Sequence, residues 1–291
     1  MFKRGLNTVM VKLIECPRDA MQGIGPFIPT AVKAAYLNHL LRVGFDALDF
    51  GSFVSPKAIP QMRDTPEVLD LLDLGHSTTR LLAIVANARG ARDAAAFPQI
   101  HYLGYPFSVS ETFQLRNTNA GIQESLERVA EIQEICSNSG KELVIYLSMG
   151  FGNPYGDPWN AGIVQHWVER LVQSGVTIFQ LSDTIGVATP QSIRYLFSSL
   201  MVAFPDLEIG AHFHTTPLSW REKVEAAYHS GCRRFDGAIK GYGGCPMARD
   251  ELTGNMPTEH LLAFFEEKGE PLHINPTAFQ SALEHSLRVF P

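Results

Sequence analysis

Eight short apolar segments alternating with helix-length stretches predict a closed (β/α)8 TIM barrel with additional C-terminal helices. Each crossover between parallel strands needs a connection of helix size, and the chain supplies one at each step. The turn after the first strand candidate reads Cys16-Pro17-Arg18-Asp19. It lacks the G-x-G-x-x-G that an open doubly wound sheet normally carries there. Acidic, amide, imidazole and thiol side chains recur just after the strand candidates, where a barrel gathers its working residues. With no fixed-period repeat and no low-complexity linker, a single domain over residues 1–291 is expected.

The β-rich run at 8–16 (TVMVKLIEC) opens the pattern, and Pro17 stops it because proline has no amide hydrogen for a ladder. Residues 29–43 carry helical spacing, with Val32, Tyr36, Leu40 and Leu41 on one side and Gly44 as the stop. A second strand at 45–50 exits into the loop 51–57, and 65–74 reads as a helix. Six further strands fall at 81–86, 100–104, 143–149, 177–182, 207–213 and 234–239. Helical segments lie between them at 89–96, 122–138, 158–174, 190–203 and 217–230. Two last helices, 258–268 and 276–289, are placed to close or cap the barrel.

With 291 residues, 45% hydrophobic and 19% charged, the chain has ordinary globular composition and can bury a full core. A formal charge of -6 and a pI near 5.9 argue against a sequence-independent nucleic-acid binder, which needs a basic face to neutralise phosphates. Cys16, Cys136, Cys232 and Cys245 are too few and scattered for a disulfide scaffold, so a cytoplasmic location is expected. No apolar run approaches the roughly 20 residues of a membrane span, and residues 1–12 lack a signal-peptide pattern. Neither nucleic acid nor membrane is an expected partner.

The run Ile209-Gly210-Ala211-His212-Phe213-His214 ends a strand candidate in His-x-His. Alternation along a strand points His212 and His214 the same way and Phe213 the other. Two readings are open, a pair of hydrogen-bonded histidines or two ligands of one ion. Other candidates share the strand exits: Asp19, Asp49, Asp183, Thr184, Cys245 and Asn255. One carboxylate, two imidazoles and an amide oxygen form a mixed oxygen and nitrogen set that suits Mg2+ or Mn2+, with Zn2+ or Co2+ as substitutes. Asp19 is equally a helix cap or a partner for Arg18, and the glycines at 241, 243, 244 and 254 are equally turn residues. Arg18 fits either a structural ion pair or a fixed cation for a developing enolate oxygen. Cys245, in a Gly-rich loop, has the placement of a thiol that closes over substrate and transfers a proton.

These motifs together resemble the 3-hydroxy-3-methylglutaryl-CoA lyase family, within the metal-dependent superfamily of TIM-barrel lyases and synthases. The resemblance is carried by Pro17-Arg18-Asp19-Ala20-Met21-Gln22, Ser52-Phe53-Val54-Ser55-Pro56-Lys57, Ser110-Glu111-Thr112-Phe113, Asp183-Thr184-Ile185-Gly186-Val187, His212-Phe213-His214, Gly243-Gly244-Cys245-Pro246 and Gly254-Asn255. It implies that Asp19, His212, His214 and Asn255 bind a divalent cation, that Arg18 steadies the enolate and that Cys245 shuttles a proton. Asp49 and Asp183 complete the expected catalytic set. The implied reaction is a retro-Claisen cleavage of an acyl-CoA into acetyl-CoA and a keto acid, in a chain whose relatives are often homodimers. Lys57, Arg63, Arg89, Arg92 and Arg116 are either coenzyme A phosphate partners or solvated charges.

The chain departs from the family pattern at Thr215-Thr216, where Asp-Thr is usual, and at Asp49, where Glu is common. It also has Cys16-Pro17 in place of a Val-Gly-Pro run, and Met149-Gly150-Phe151-Gly152-Asn153-Pro154 in place of a cysteine-containing loop. Two other readings stay open: a related synthase or aldolase acting on 2-oxo acids, and, motivated by the departures at Asp49 and Thr215, a non-catalytic barrel that binds an acyl-CoA or a protein.

Overall fold

The computed structural model describes residues 10–244 and 253–290. Cys245 and Pro246 lie outside the described residues. The elements run β1 (Lys12–Glu15), α1 (Pro17–Gln22), α2 (Thr30–Leu41), β2 (Ala47–Ser52), α3 (Thr65–Asp70), β3 (Arg80–Ile84), α4 (Ala88–Ala95) and β4 (Ile100–Ser108). They continue through α5 (Glu111–Thr118), α6 (Ile122–Ser139), β5 (Glu142–Ser148), α7 (Ala161–Gln173), β6 (Ile178–Asp183), α8 (Pro190–Ala203) and β7 (Glu208–Thr215). The last are α9 (Trp220–His229), β8 (Arg234–Gly237), β9 (Gly254–Asn255), α10 (Thr258–Glu267) and α11 (Pro276–Ser286).

Strands β1 to β8 pair in parallel in sequence order, and β8 returns to β1, so the eight-stranded barrel is closed. Closure registers Lys12 against Arg234 and Ile14 against Asp236. Strands with both faces covered need apolar runs rather than simple alternation. The chain divides these runs between two cores. Ile14, Ala47, Leu82, Tyr102, Val144, Tyr146 and Ile178 fill the barrel interior. Leu13, Leu81, Leu103, Ile145, Phe179, Phe213 and Phe235 face outward into the helical layer. The expected barrel with extra C-terminal helices is therefore the observed architecture. No helix among the described residues is long and apolar enough to cross a membrane.

Three elements differ from the sequence expectation. The stretch after β1 is a six-residue helix rather than a turn, because Pro17 sits at its first turn, where a missing amide hydrogen costs nothing. Helix α5 was not expected; Ser110 caps it by accepting from the Phe113 amide at 3.2 Å. Asp157 fastens that cap, accepting from Ser110 Oγ at 2.5 Å and from the Thr112 amide at 3.0 Å. The two-residue strand β9 is antiparallel to β7 and registers Asn255 against His214.

Candidate active site

Helix α1 places Arg18 and Asp19 at the carboxyl-terminal mouth of the barrel, both buried. The Arg18 guanidinium forks onto Asp49 of β2, with Nε at 3.1 and 3.0 Å from the two carboxylate oxygens and Nη2 at 2.5 Å from Oδ2. Its Nη1 donates to Asp19 Oδ1 at 3.1 Å and to Gln22 Oε1 at 3.0 Å. A guanidinium has five N–H groups. Once these partners are counted, the remaining hydrogen is on Nη2. Asp49, one methylene shorter than the family's usual Glu, still reaches the guanidinium.

Asp19 is held from both sides. Gln22 Nε2 donates to Oδ1 at 2.9 Å, and Asn255 Nδ2 donates to Oδ2 at 2.8 Å. The same Asn255 nitrogen donates to the Tyr242 carbonyl at 2.9 Å, which leaves Oδ1 as the amide atom available to a cation. This packing explains Gly243. Its φ is +97°, and an added Cβ would lie 2.7 Å from Asn255 Nδ2 and 2.8 Å from Ala20 Cα.

His212 and His214 share one face of β7 as alternation requires, with ring centroids 5.5 Å apart. Donor atoms of Asp19, His212 and His214 all lie within 4.8 Å of one another, and all three residues are buried. Burial alone would raise the Asp19 carboxyl. Arg18, His212, His214 and the Asn255 amide outweigh it and hold that carboxyl below its usual range. Burial and the neighbouring His212 push His214 down to about 4, so its ring is neutral and its lone pair free at pH 7. Burial also works against His212, but the hydrogen bond and charge of Asp236 prevail and raise it. An anionic oxygen beside two buried imidazoles, one of them neutral at pH 7, fits a divalent cation.

These groups line a cavity of about 130 Å³ whose walls include Ile84, Phe113, Tyr146, Ser148, Ser182 and Thr184. Asn117 and Thr118, from the unexpected helix α5, also reach it. A second cavity of about 320 Å³ shares Val54 with the first and includes Arg63 and Arg89. Lys57, Arg92 and Arg116 are exposed and border neither cavity.

Asp183, expected among the catalytic residues, is set apart from the cavity lining. Ser182 pairs with His212 and Asp183 with Phe213, so the Asp183 carboxylate faces the helical layer while its neighbours face the cavity. Lys223 of α9 donates to it at 2.6 Å and also reaches the carbonyls of His214 and Gly186, both at 2.9 Å. Asp183 thus fastens the exits of β6 and β7. Its side chain is 0% exposed and that of Lys223 2%, so removing the lysine strands a buried carboxylate. Lys223→Met is expected to cost about 3–5 kcal/mol of stability, read as a lower urea midpoint.

The Thr215-Thr216 departure also has a structural use. Thr215 Oγ1 contacts the Asn255 carbonyl at 3.4 Å, and Thr216 exchanges hydrogen bonds with Ser219 just before α9. Sequence reasoning overlooked Asp236, whose Oδ2 lies 2.9 Å from His212 Nδ1. It also overlooked Tyr146, set edge-on to the His212 ring at 5.5 Å. Both sit inside strands, where only the register reveals which face they share.

The sequence matches the HMGL-like family over residues 11–285. The chain belongs to that family. It is 32% identical over 251 residues to hydroxymethylglutaryl-CoA lyase of Bacillus subtilis, covering 86% of this chain and 83% of that one. It is 30% identical to a cytoplasmic 3-hydroxy-3-methylglutaryl-CoA lyase of Rattus norvegicus, covering 89% and 75%. An HMG-CoA lyase from Acinetobacter baumannii, solved with coenzyme A and 3-methylmalate, superposes with a TM-score of 0.89 at 31% identity. That comparison covers 96% of this chain and 91% of the other.

Proposed function

We propose that this family member is a divalent-metal-dependent carbon–carbon lyase that cleaves 3-hydroxy-3-methylglutaryl-CoA, or a closely related hydroxyacyl-CoA, into acetyl-CoA and a keto acid. The observation that carries the reading is the convergence of Asp19, His212 and His214 within 4.8 Å, beside an arginine fixed by Asp49. Asp19, His212, His214 and Asn255 Oδ1 would hold Mg2+ or Mn2+, which supplies a Lewis acid that lowers the pKa of the substrate hydroxyl. When that hydroxyl loses its proton and the carbon–carbon bond breaks, the bonding pair moves onto the thioester fragment as an enolate. Arg18, held by Asp49, Asp19 and Gln22 and lining the cavity, would offer its remaining Nη2 hydrogen to the enolate oxygen with little reorganisation. The Cys245 thiol would give its proton to the enolate carbon, which completes acetyl-CoA, and its thiolate would take back the proton that the hydroxyl released. Val54, shared by the two cavities, would let the coenzyme A arm reach the second, where Arg63 and Arg89 are candidate partners for its phosphates.

The test is turnover of 3-hydroxy-3-methylglutaryl-CoA by the full chain with Mg2+ or Mn2+. Acetyl-CoA and acetoacetate are expected in equal amounts, abolished by chelator and restored by Mn2+. Folded, metal-loaded protein that releases neither product rejects this substrate. Free thiol formed from acetyl-CoA and a 2-oxo acid would instead mark a synthase.

The pH profile is a separate check. Burial pushes the Asp49 carboxyl up to about 6 despite the adjacent Arg18, and the ionised form is the one that anchors the guanidinium. Protonation on the acid side weakens that anchor, so kcat at saturating Mn2+ is expected to fall as pH drops through about 6. In Asp49→Asn the limb should disappear and leave a uniformly low rate.

A further inference from the structure

We propose that Asp236, braced by Gln180 across Gly210, is the positioning residue that fixes which nitrogen of His212 faces the cation site. This rests on the reading of Asp19, His212 and His214 as cation ligands.

Asp236 faces the barrel interior, paired with Ile14, and its Oδ2 lies 2.9 Å from His212 Nδ1. An ionised carboxylate only accepts, so Nδ1 carries the proton and Nε2 is the atom offered to the site. The second oxygen, Oδ1, accepts from Gln180 Nε2. Gln180 stands on β6 and Asp236 on β8, with β7 between them.

The bridge exists because the intervening residue is Gly210, which pairs with Gln180. An added Cβ at 210 would lie 1.8 Å from Gln180 Oε1. That oxygen is buried with no hydrogen-bond partner among the described residues, so the amide sits here for the bond its nitrogen makes. Asp236 therefore has one oxygen committed to Gln180 and the other to His212, which fixes the carboxylate plane and through it the ring. Tyr146, edge-on at 5.5 Å, limits rotation of the same ring. Carboxylate partners of this kind orient a ligand imidazole and raise its basicity.

The test measures Mn2+ binding to the full chain, without substrate, by the loss of the free-ion EPR signal. Asp236→Asn and Asp236→Leu are expected to weaken binding by about 10- to 100-fold, and Gln180→Met by roughly 3- to 10-fold. Nitrogen-15 NMR of the neutral His212 ring should find the proton on Nδ1 in the parent protein and lose that preference in Asp236→Leu. A purely structural role would move neither readout in folded protein. Should the Asp236 variants fail to fold, Gln180→Met and the parent tautomer carry the test. Affinities within twofold of the parent for folded variants, or a proton on Nε2 in the parent, overturn the inference. Asp19→Asn separates the two levels. If it also leaves Mn2+ affinity unchanged, the cation-site reading itself fails, and the role of Asp236 fails with it.

Discussion

Replacing Arg18 with methionine is expected to lower kcat by about 10²- to 10³-fold, the usual loss when one preorganised donor to a developing oxyanion is removed. Mn2+ affinity should hold or tighten, because the substitution deletes a positive charge bonded 3.1 Å from Asp19. That opposite movement of rate and metal affinity is the signature to look for. Arg18→Lys is expected to recover little of the rate. The guanidinium forks onto Asp49 through Nε and Nη2 while Nη1 reaches Asp19 and Gln22, and one ammonium cannot span that fan. The methionine variant also leaves Asp49, whose side chain is 0% exposed, without its cation. It should unfold more easily than the lysine variant, and both rates belong at a temperature where folding is verified. Comparable activity in either variant and the parent would remove Arg18 from the chemistry.

The second large effect is expected at His214. Losing an orienting partner of a metal ligand already costs about 10- to 100-fold in affinity, so His214→Ala, which would delete a proposed ligand, should exceed 100-fold. Activity at micromolar Mn2+ should vanish and return only partly at millimolar Mn2+. The same substitution bears on pH. Burial and the adjacent His212 hold His214 at about 4, so its lone pair is available well below neutrality. His212, which Asp236 raises, takes up a proton first as pH falls. Metal affinity of the parent should therefore decline on the acid side through His212 rather than His214, measured as the Mn2+ dissociation constant against pH.

The barrel was legible because parallel strands covered on both faces must be apolar runs, and eight such runs alternate with helix-length segments. The meeting of Asp19, His212 and His214 was legible for a related reason: the two histidines obey a period of two, and Asp19 follows β1 closely. Applied to β6, the same period places Ser182 and Thr184 inward and Asp183 outward, which separates Asp183 from the cavity lining. Helix α1 was hidden by Pro17, which ends a strand and starts a helix equally well. Asp236 and Gln180 were hidden for a deeper reason. Their meeting depends on two strands separated by a third, and on a glycine whose missing side chain lets one reach the other. No local pattern in the chain encodes that contact.

Anomalous diffraction from crystals of the full chain grown with Mn2+ would locate the cation itself. One strong peak is expected at the barrel mouth, within bonding distance of the Asp19 carboxylate and the imidazoles of His212 and His214, with Asn255 Oδ1 turned toward it. A crystal with Mn2+ bound elsewhere, and no peak among these three side chains, would contradict it.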